Sequence, residues 1–464
     1  MKHCSKCVMP DTRPGIKFVR LSDFEKAQGA AALNSLNSAK ADKSKMGGGF
    51  GLSENSRGSQ NAAQNSQISA ENSQNLAQNL QNSQTAEIST ENSQNLAQNS
   101  QNAAKNSQNS AQDSEKWLCS ACINHANKEK IDYGARFKEL EALCDKHRRR
   151  NGAHEYDCAI AVSGGKDSHF QVYVMKEKLG MNPVLFSVED NFAMTEAGRK
   201  NLANLSAEFG CHIISLKPDR KTQKAVMRKT FERYGKPTWF IDRLIYSFPF
   251  AMALRFNTPL LVYGENVSYE YGGSDSAETP SAKDIFLNGV ASDLDINEFL
   301  DEGITKENLQ LFYNPSRDDI NALEPIYLSY FIKWNSYANY IFARSRGFTD
   351  LQGEWDRAHC AENFDQIDSV GYILHAWMKY PKFGHAMASD YASRLVRYGL
   401  LSREEAVKII KERDHRLDNK VVEDFCAFTG YTKAEFWAIV ERHYNKDLFY
   451  KNDFGEWVLK NPVE

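Results

Sequence analysis

A chain of 464 residues is long enough for two or three domains and a large buried core. Its net charge of −3 argues against a broad nonspecific nucleic-acid surface, though a local basic patch stays open. No apolar run approaches the ~18 residues of a membrane span, and the stretch from Met1 to Cys7 has no apolar signal region, so a cytosolic protein is expected.

Nine cysteines occur, four of them as two Cys-x-x-Cys pairs, Cys4/Cys7 and Cys119/Cys122. Such pairs suit metal binding in a reducing compartment better than disulfides. Two thiolate knuckles predict a zinc ribbon over residues 1–33 plus 115–130. Four sulfur ligands would close the coordination sphere, so the zinc would be structural. An iron–sulfur cluster or free thiols are the alternatives. Between the pairs, from about Asn34 to Ser114, the chain is almost entirely Asn, Gln, Ser and Ala, and Glu71–Asn79 repeats as Glu91–Asn99. This composition cannot bury enough apolar surface to offset ordering entropy, so residues 34–114 are expected to be a disordered insertion at the ribbon tip. A prion-like interaction tract is the functional alternative.

Residues 131–150 are charged and amphipathic and predict a helix leading into the next domain. Cys158–Val162 is a short apolar run fit for a buried strand. Ser163-Gly164-Gly165-Lys166-Asp167-Ser168 then breaks the run, and helical spacing follows from His169 to Leu179. Strand, glycine turn and helix together aim backbone N–H groups and a helix dipole at an anion. The glycines permit close approach, two serines offer hydroxyls and Lys166 a cation. The spacing is not that of the Walker A loop. It resembles the PP-loop of the ATP pyrophosphatases, which implies that Ser163 to Ser168 grip the pyrophosphate of ATP. The alternative is a glycine turn with no ligand.

Past the loop the pattern is α/β. Strands are expected at 183–188, 211–216 and 259–264, and helices at 195–209, 221–234 and 248–256. Ligands of an open parallel sheet lie beyond the carboxyl ends of its strands. That rule gathers Ser187, Asn191, Gly264 and Glu265 around the same nucleotide as the loop. Lys166, Asp167 and Glu265 are the catalytic candidates, and Asp167 is the preferred Mg2+ ligand. The acidic groups at 189–190 and 265 either hold metal, orient substrate or cap loops. Residues 269–281 are either a mobile lid or a surface loop. Residues 326–343, dense in aromatics, predict a core helix, with a stacking surface as the second reading. A helical C-terminal region is expected from 346 to 464. There Pro381 and Gly384 should break a helix beside Lys379, Lys382, His385, Arg394 and Arg397. That cationic group is suited to a carboxylate or phosphate of the substrate, or else is a solvated face.

Taken together, Cys4–Gly15, the second knuckle Cys119–His125, the glycine loop and the tail Lys379–His385 resemble the N-acetyl sugar amidotransferases. The resemblance covers nearly all of the chain except about residues 34–114. It implies an adenine nucleotide alpha-hydrolase-like parallel sheet over 131–345, with ATP, Mg2+ and structural Zn2+ as cofactors. It implies that an N-acetyl group on a nucleotide-activated sugar, CMP-pseudaminic acid foremost, becomes an acetamidino group for flagellin glycan. The amide oxygen would be adenylated and ammonia would expel AMP. No glutaminase domain fits in the chain, so ammonia is expected free or from a separate glutaminase subunit like that of histidine biosynthesis. A tRNA-thiolating PP-loop enzyme and a silent scaffold are the rival readings. The first would need a redox-active cysteine pair by the loop.

Overall fold

The computed structural model describes residues 1–26, 116–148, 156–273, 279–285, 294–313 and 315–464. The expected insertion at 34–114 lies outside the described residues, as does the middle of the expected lid, residues 274–278. Chain contacts divide the molecule into a unit of Met1–Val19 with Trp117–Glu464 and a unit of Arg20–Lys116. In the second unit residues 21–26 are helical, and the Leu21 N–H donates to the Lys116 carbonyl at 3.0 Å.

The first unit is built on five parallel strands. They are β3 (Cys158–Ala161), β4 (Pro183–Val188), β5 (His212–Leu216), β6 (Leu260–Tyr263) and β7 (Glu324–Tyr327), in the order β5-β4-β3-β6-β7. The three central strands are apolar because both their faces are covered. Alternate residues sort to opposite sides. Cys158, Ile160, Leu185, Leu260 and Val262 pack with Leu140, Val172, Leu205 and Phe209. Ala159, Val184, Phe186, Leu261 and Tyr263 pack with Phe248, Phe250 and Ala253. Helices α2 (Tyr133–His147), α3 (Lys166–Val172) and α4 (Glu196–Phe209) therefore lie on one face, and α6 (Trp239–Arg255) on the other. Strand order reverses between β3 and β6, which makes the ends of those two strands the natural ligand crevice.

Helix ends follow local chemistry. Thr195 caps α4 by accepting the Gly198 N–H, and Gly210 closes it at φ +61°. Asp219 caps α5 (Arg220–Tyr234), and Gly235 closes it at φ +59°. The expected aromatic helix over 326–343 is corrected. Ile326 and Tyr327 belong to β7, a short helical turn spans Leu328–Phe331, and α8 (Ser336–Ser345) starts on an Asn335 cap. β7 carries Pro325, tolerated because this strand is an edge.

C-terminal helices α9 (Met387–Arg397), α10 (Arg403–Arg413), α11 (Asn419–Thr429) and α12 (Lys433–Arg442) precede a hairpin of β8 (Phe449–Lys451) and β9 (Trp457–Leu459). The largest apolar cluster joins Phe231, Trp239 and Phe240 to Trp377, Phe425 and Phe436, so this region shares a core with α5 and α6. The expected helix break falls at Gly384, at φ +74°, whereas Pro381 sits inside the short helix Lys379–Phe383. Among the described residues no helix is long and apolar enough to cross a membrane.

Candidate active site

The glycine loop leaves β3 and enters α3 at the reversal of strand order. Gly164 adopts φ +92°, and a Cβ there would stand 3.0 Å from the backbone of Leu202 on α4. This position therefore requires glycine twice over, by conformation and by space. Gly165 has an ordinary φ of −65°. The two serines stitch the loop together. The Ser163 N–H donates to Ser168 Oγ at 3.1 Å, and the Gly165 N–H to Ser163 Oγ at 3.2 Å. Each hydroxyl proton is left to donate elsewhere.

Lys166 is 2% exposed. Its Nζ donates to Asp167 Oδ2 at 2.8 Å and to Asp365 Oδ1 at 2.7 Å. Burial alone would lower the Lys166 pKa, but the two carboxylates outweigh it and hold the ammonium firmly charged. Asp167 Oδ1 accepts from Asn339 Nδ2 of α8 at 2.8 Å. Asp365 Oδ2 accepts from Arg394 Nη2 of α9 at 2.6 Å, and Arg394 Nη1 donates to the Tyr271 hydroxyl at 2.8 Å. Burial would raise the Asp365 carboxyl, yet Lys166 and Arg394 prevail and hold it below the usual carboxylate range. Glu265, just past β6, is pushed up to about 7 by burial, with the negative charge of Asp167 adding. Asp368 is pushed up to about 7 by burial and by Asp190 and Asp365.

The structure thus brings Lys166, Asp167, Glu265 and Arg394 into one charged network at the loop. Each Asp167 oxygen already accepts one hydrogen bond, which leaves one lone pair apiece for a metal ion. Gly264 lies at the same strand end, and a Cβ there would stand 2.8 Å from the Gln171 side-chain amide and 3.2 Å from the Trp334 ring. Ser187 is buried within β4, paired with Ser215. Asn191 donates to the Pro218 carbonyl at 3.0 Å and to Gln223 at 2.6 Å, which commits its amide nitrogen to the α5 side.

The expected cationic group is corrected, because its members divide among separate places, with only Lys379 and His385 meeting, at Asp390. Arg394 joins the loop. Lys379 pairs with Asp390 at 2.5 Å, in company with Arg13. His385 is buried with Nδ1 3.9 Å from Asp390, and burial pushes its pKa down to about 3. Lys382 donates to the Gly235 carbonyl at 2.9 Å, where α5 closes. Conversely, Asp365, Asn339 and Tyr271 complete the network without having been expected. No periodicity marks them, and each reaches the loop from far along the chain.

The four cysteine sulfurs of Cys4, Cys7, Cys119 and Cys122 lie within 4.8 Å of one another, all buried. Tetrahedral zinc with ~2.3 Å bonds sets sulfurs about 3.8 Å apart. Cys4 and Cys122 are at 3.8 Å, and Cys7 and Cys119 at 3.4 Å. The donor set fits zinc. One knuckle is a tight turn, with Val8 at φ +68°. The other lies at a strand-to-helix turn. Cys119 ends β2 (Trp117–Cys119), and Cys122 sits in the first turn of α1 (Ser120–Lys128).

Residues 329–462 match the family described as LPS biosynthesis protein WbpG-like, C-terminal domain. That stretch contains Asn339, Asp365 and Arg394. Over 82 residues the chain is 30% identical to the uncharacterized protein MJ1599 of Methanocaldococcus jannaschii, covering 18% of this chain and 28% of that protein. The chain therefore spans under a third of that relative. The structure of NMN synthetase from Francisella tularensis matches at 12% identity with a TM-score of 0.21, over 46% of this chain and 87% of that one.

Proposed function

We propose that the chain is an ATP-dependent, AMP-forming amidotransferase that acts on the N-acetyl group of a nucleotide-activated sugar. One observation carries the reading. A PP-loop-like turn at the sheet's switch point holds a buried, charged lysine, and a region similar to a lipopolysaccharide-biosynthesis domain contributes an arginine beside it.

An amide oxygen is a poor leaving group and must first be activated. The acetamide oxygen attacks the α-phosphorus of ATP, the bond to the β,γ-pyrophosphate breaks, and an O-adenylated amide forms. Lys166, Arg394 and the hydroxyls of Ser163 and Ser168 would carry the growing charge on the pyrophosphate. Mg2+, held through Asp167, would neutralise the phosphates. Ammonia then attacks the activated carbon, AMP leaves with the former amide oxygen, and an acetamidine remains. Ammonium must shed one proton before it attacks. Glu265, with a pKa near 7, is our candidate acceptor. The ammonia would come free or from a separate glutaminase subunit. The resemblance at the knuckles and at Lys379–His385 makes CMP-pseudaminic acid the first substrate to try, by analogy with the pseudaminic acid amidotransferases of flagellin-glycosylating bacteria.

A thiolating PP-loop enzyme would need a reactive cysteine at the loop. Cys158 and Cys360 are buried, and burial raises both thiols well above their ordinary range.

The test is incubation with ATP, CMP-pseudaminic acid and ammonium, with and without glutamine and a glutaminase. Mass spectrometry should show O exchanged for NH, with AMP and pyrophosphate as co-products. ADP as the nucleotide product, or a mass gain fitting sulfur, overturns the reading.

A further inference from the structure

Lys166 and Arg394 are buried cations that share one carboxylate, that of Asp365, each bonded to a different oxygen. Asp365 lies 199 residues from Lys166, outside the loop and outside β3 and β6. Two buried cations side by side require an anion between them in every state, because an uncompensated buried charge is severely destabilising. Resting on the ATP reading above, we propose that Asp365 is a stand-in for the leaving pyrophosphate. Its carboxylate holds the site of a phosphate group while the enzyme is empty. Arg394 is then the second cation of the pyrophosphate clamp, and Asp365 yields to ATP.

The surroundings are built for that exchange. The backbone around Asp365 is anchored independently of its side chain. Glu362 accepts the N–H groups of Phe364 and Asp365 at 2.7 and 2.8 Å, and Arg357 donates to the Asp365 carbonyl at 2.9 Å. Arg357 and Glu362 are themselves a buried ion pair at 2.9 Å. A turn of the Asp365 side chain thus suffices to vacate the site, with no movement of the loop. Both cations keep a second partner once Asp365 withdraws. Lys166 retains Asp167, and Arg394 retains the Tyr271 hydroxyl. Tyr271 ends α7 (Val267–Tyr271), a helix that starts two residues past Glu265, so the arginine stays aimed at the strand end where the α-phosphorus would react. A fork of guanidinium N–H groups suits phosphate oxygens as well as it suits carboxylate.

This makes a prediction of sign. A carboxylate that merely positions the two cations would weaken phosphate binding when removed. One that competes with phosphate would strengthen it. The experiment is calorimetric titration of the full-length protein with inorganic pyrophosphate and with MgATP. The proteins compared are wild type, Asp365→Asn, Arg394→Gln and Lys166→Ala. Asp365→Asn should bind pyrophosphate several-fold more tightly than wild type, and Arg394→Gln about tenfold more weakly. Unchanged or weaker binding by a folded Asp365→Asn overturns the stand-in. A wild type that binds neither ligand overturns instead the ATP reading on which the stand-in rests. Should Asp365→Asn fail to fold, the wild type bound to a non-hydrolysable ATP analogue decides. Its Asp365 should lie beyond hydrogen-bond reach of Lys166, and a carboxylate still bridging both cations rejects the proposal.

Discussion

The two glycines of the loop are equivalent in sequence and unequal in structure. A Cβ at Gly164 would be strained by a φ of +92° and would press on the Leu202 backbone at 3.0 Å. At Gly165 the conformation is ordinary, and the nearest atom is the Ser163 hydroxyl at 3.2 Å. Gly164→Ala should therefore cost about 1–2 kcal/mol in left-handed strain alone, with the Leu202 contact in addition. Gly165→Ala should cost a fraction of that. Chemical denaturation reads the stabilities, and nucleotide titration should show lost binding only for Gly164→Ala. Equal effects at the two positions would mean that the loop is not held as described. The loop itself was legible in the sequence, because glycines, serines and a lysine between a strand and a helix have few other uses. Asp365 was not. Its neighbours carry no repeat or motif, and only the folded chain shows that it meets Lys166. The basic residues near Pro381 misled for the opposite reason, since nearness in sequence suggested a shared surface that helix geometry divides.

Whole strands were easier to read than helix junctions. β3, β4, β5 and β6 stand within about a residue of expectation, the three central ones because burial on both faces forces continuous apolar runs. β7 was missed because Pro325 argues against a central strand, and only its edge position excuses it. The three-residue strands β8 and β9 carry too little pattern to be seen. The cysteine pairs were legible as ligands, though not the strand-to-helix turn that carries the second pair. The first knuckle ties the four-cysteine site to the loop through α9. On this helix Arg397 Nη1 reaches Cys7 Sγ at 3.5 Å, and Arg394, one turn earlier, reaches Asp365. Val8 of the first knuckle packs against Ala392 of the same helix. The protein as isolated should contain one zinc per chain, lost in Cys4→Ser. Structural zinc contributes on the order of 10 kcal/mol to a small site. The melting temperature of Cys4→Ser should accordingly fall by at least about 5 °C. Pyrophosphate binding should weaken with it, as α9 loses its anchor. Elemental analysis, a thermal melt and the titration check this together. Unchanged pyrophosphate binding in a zinc-free protein would break the link.

At the scale of the whole molecule the main question is what the low-complexity stretch contributes. Its composition is dominated by Asn, Gln, Ser and Ala. The Leu21 N–H and the Lys116 carbonyl are joined at 3.0 Å, so whatever lies between them closes as a loop. Loop closure costs about 0.6 kcal/mol per doubling of length, and deleting 34–114 shortens this loop by nearly three halvings. The deleted protein should then be as stable as the full chain or more so, by up to about 1–2 kcal/mol. The zinc cysteines, the glycine loop and the Asp365–Arg394 pair all lie outside the deletion. Zinc content and pyrophosphate affinity should therefore match the full chain. The same deletion separates an enzyme from a scaffold, when set beside Lys166→Ala. An enzyme keeps turnover without residues 34–114 and loses it with Lys166→Ala. A scaffold built on the Asn/Gln tract does the reverse, and complementation in cells lacking the full-length protein distinguishes the two.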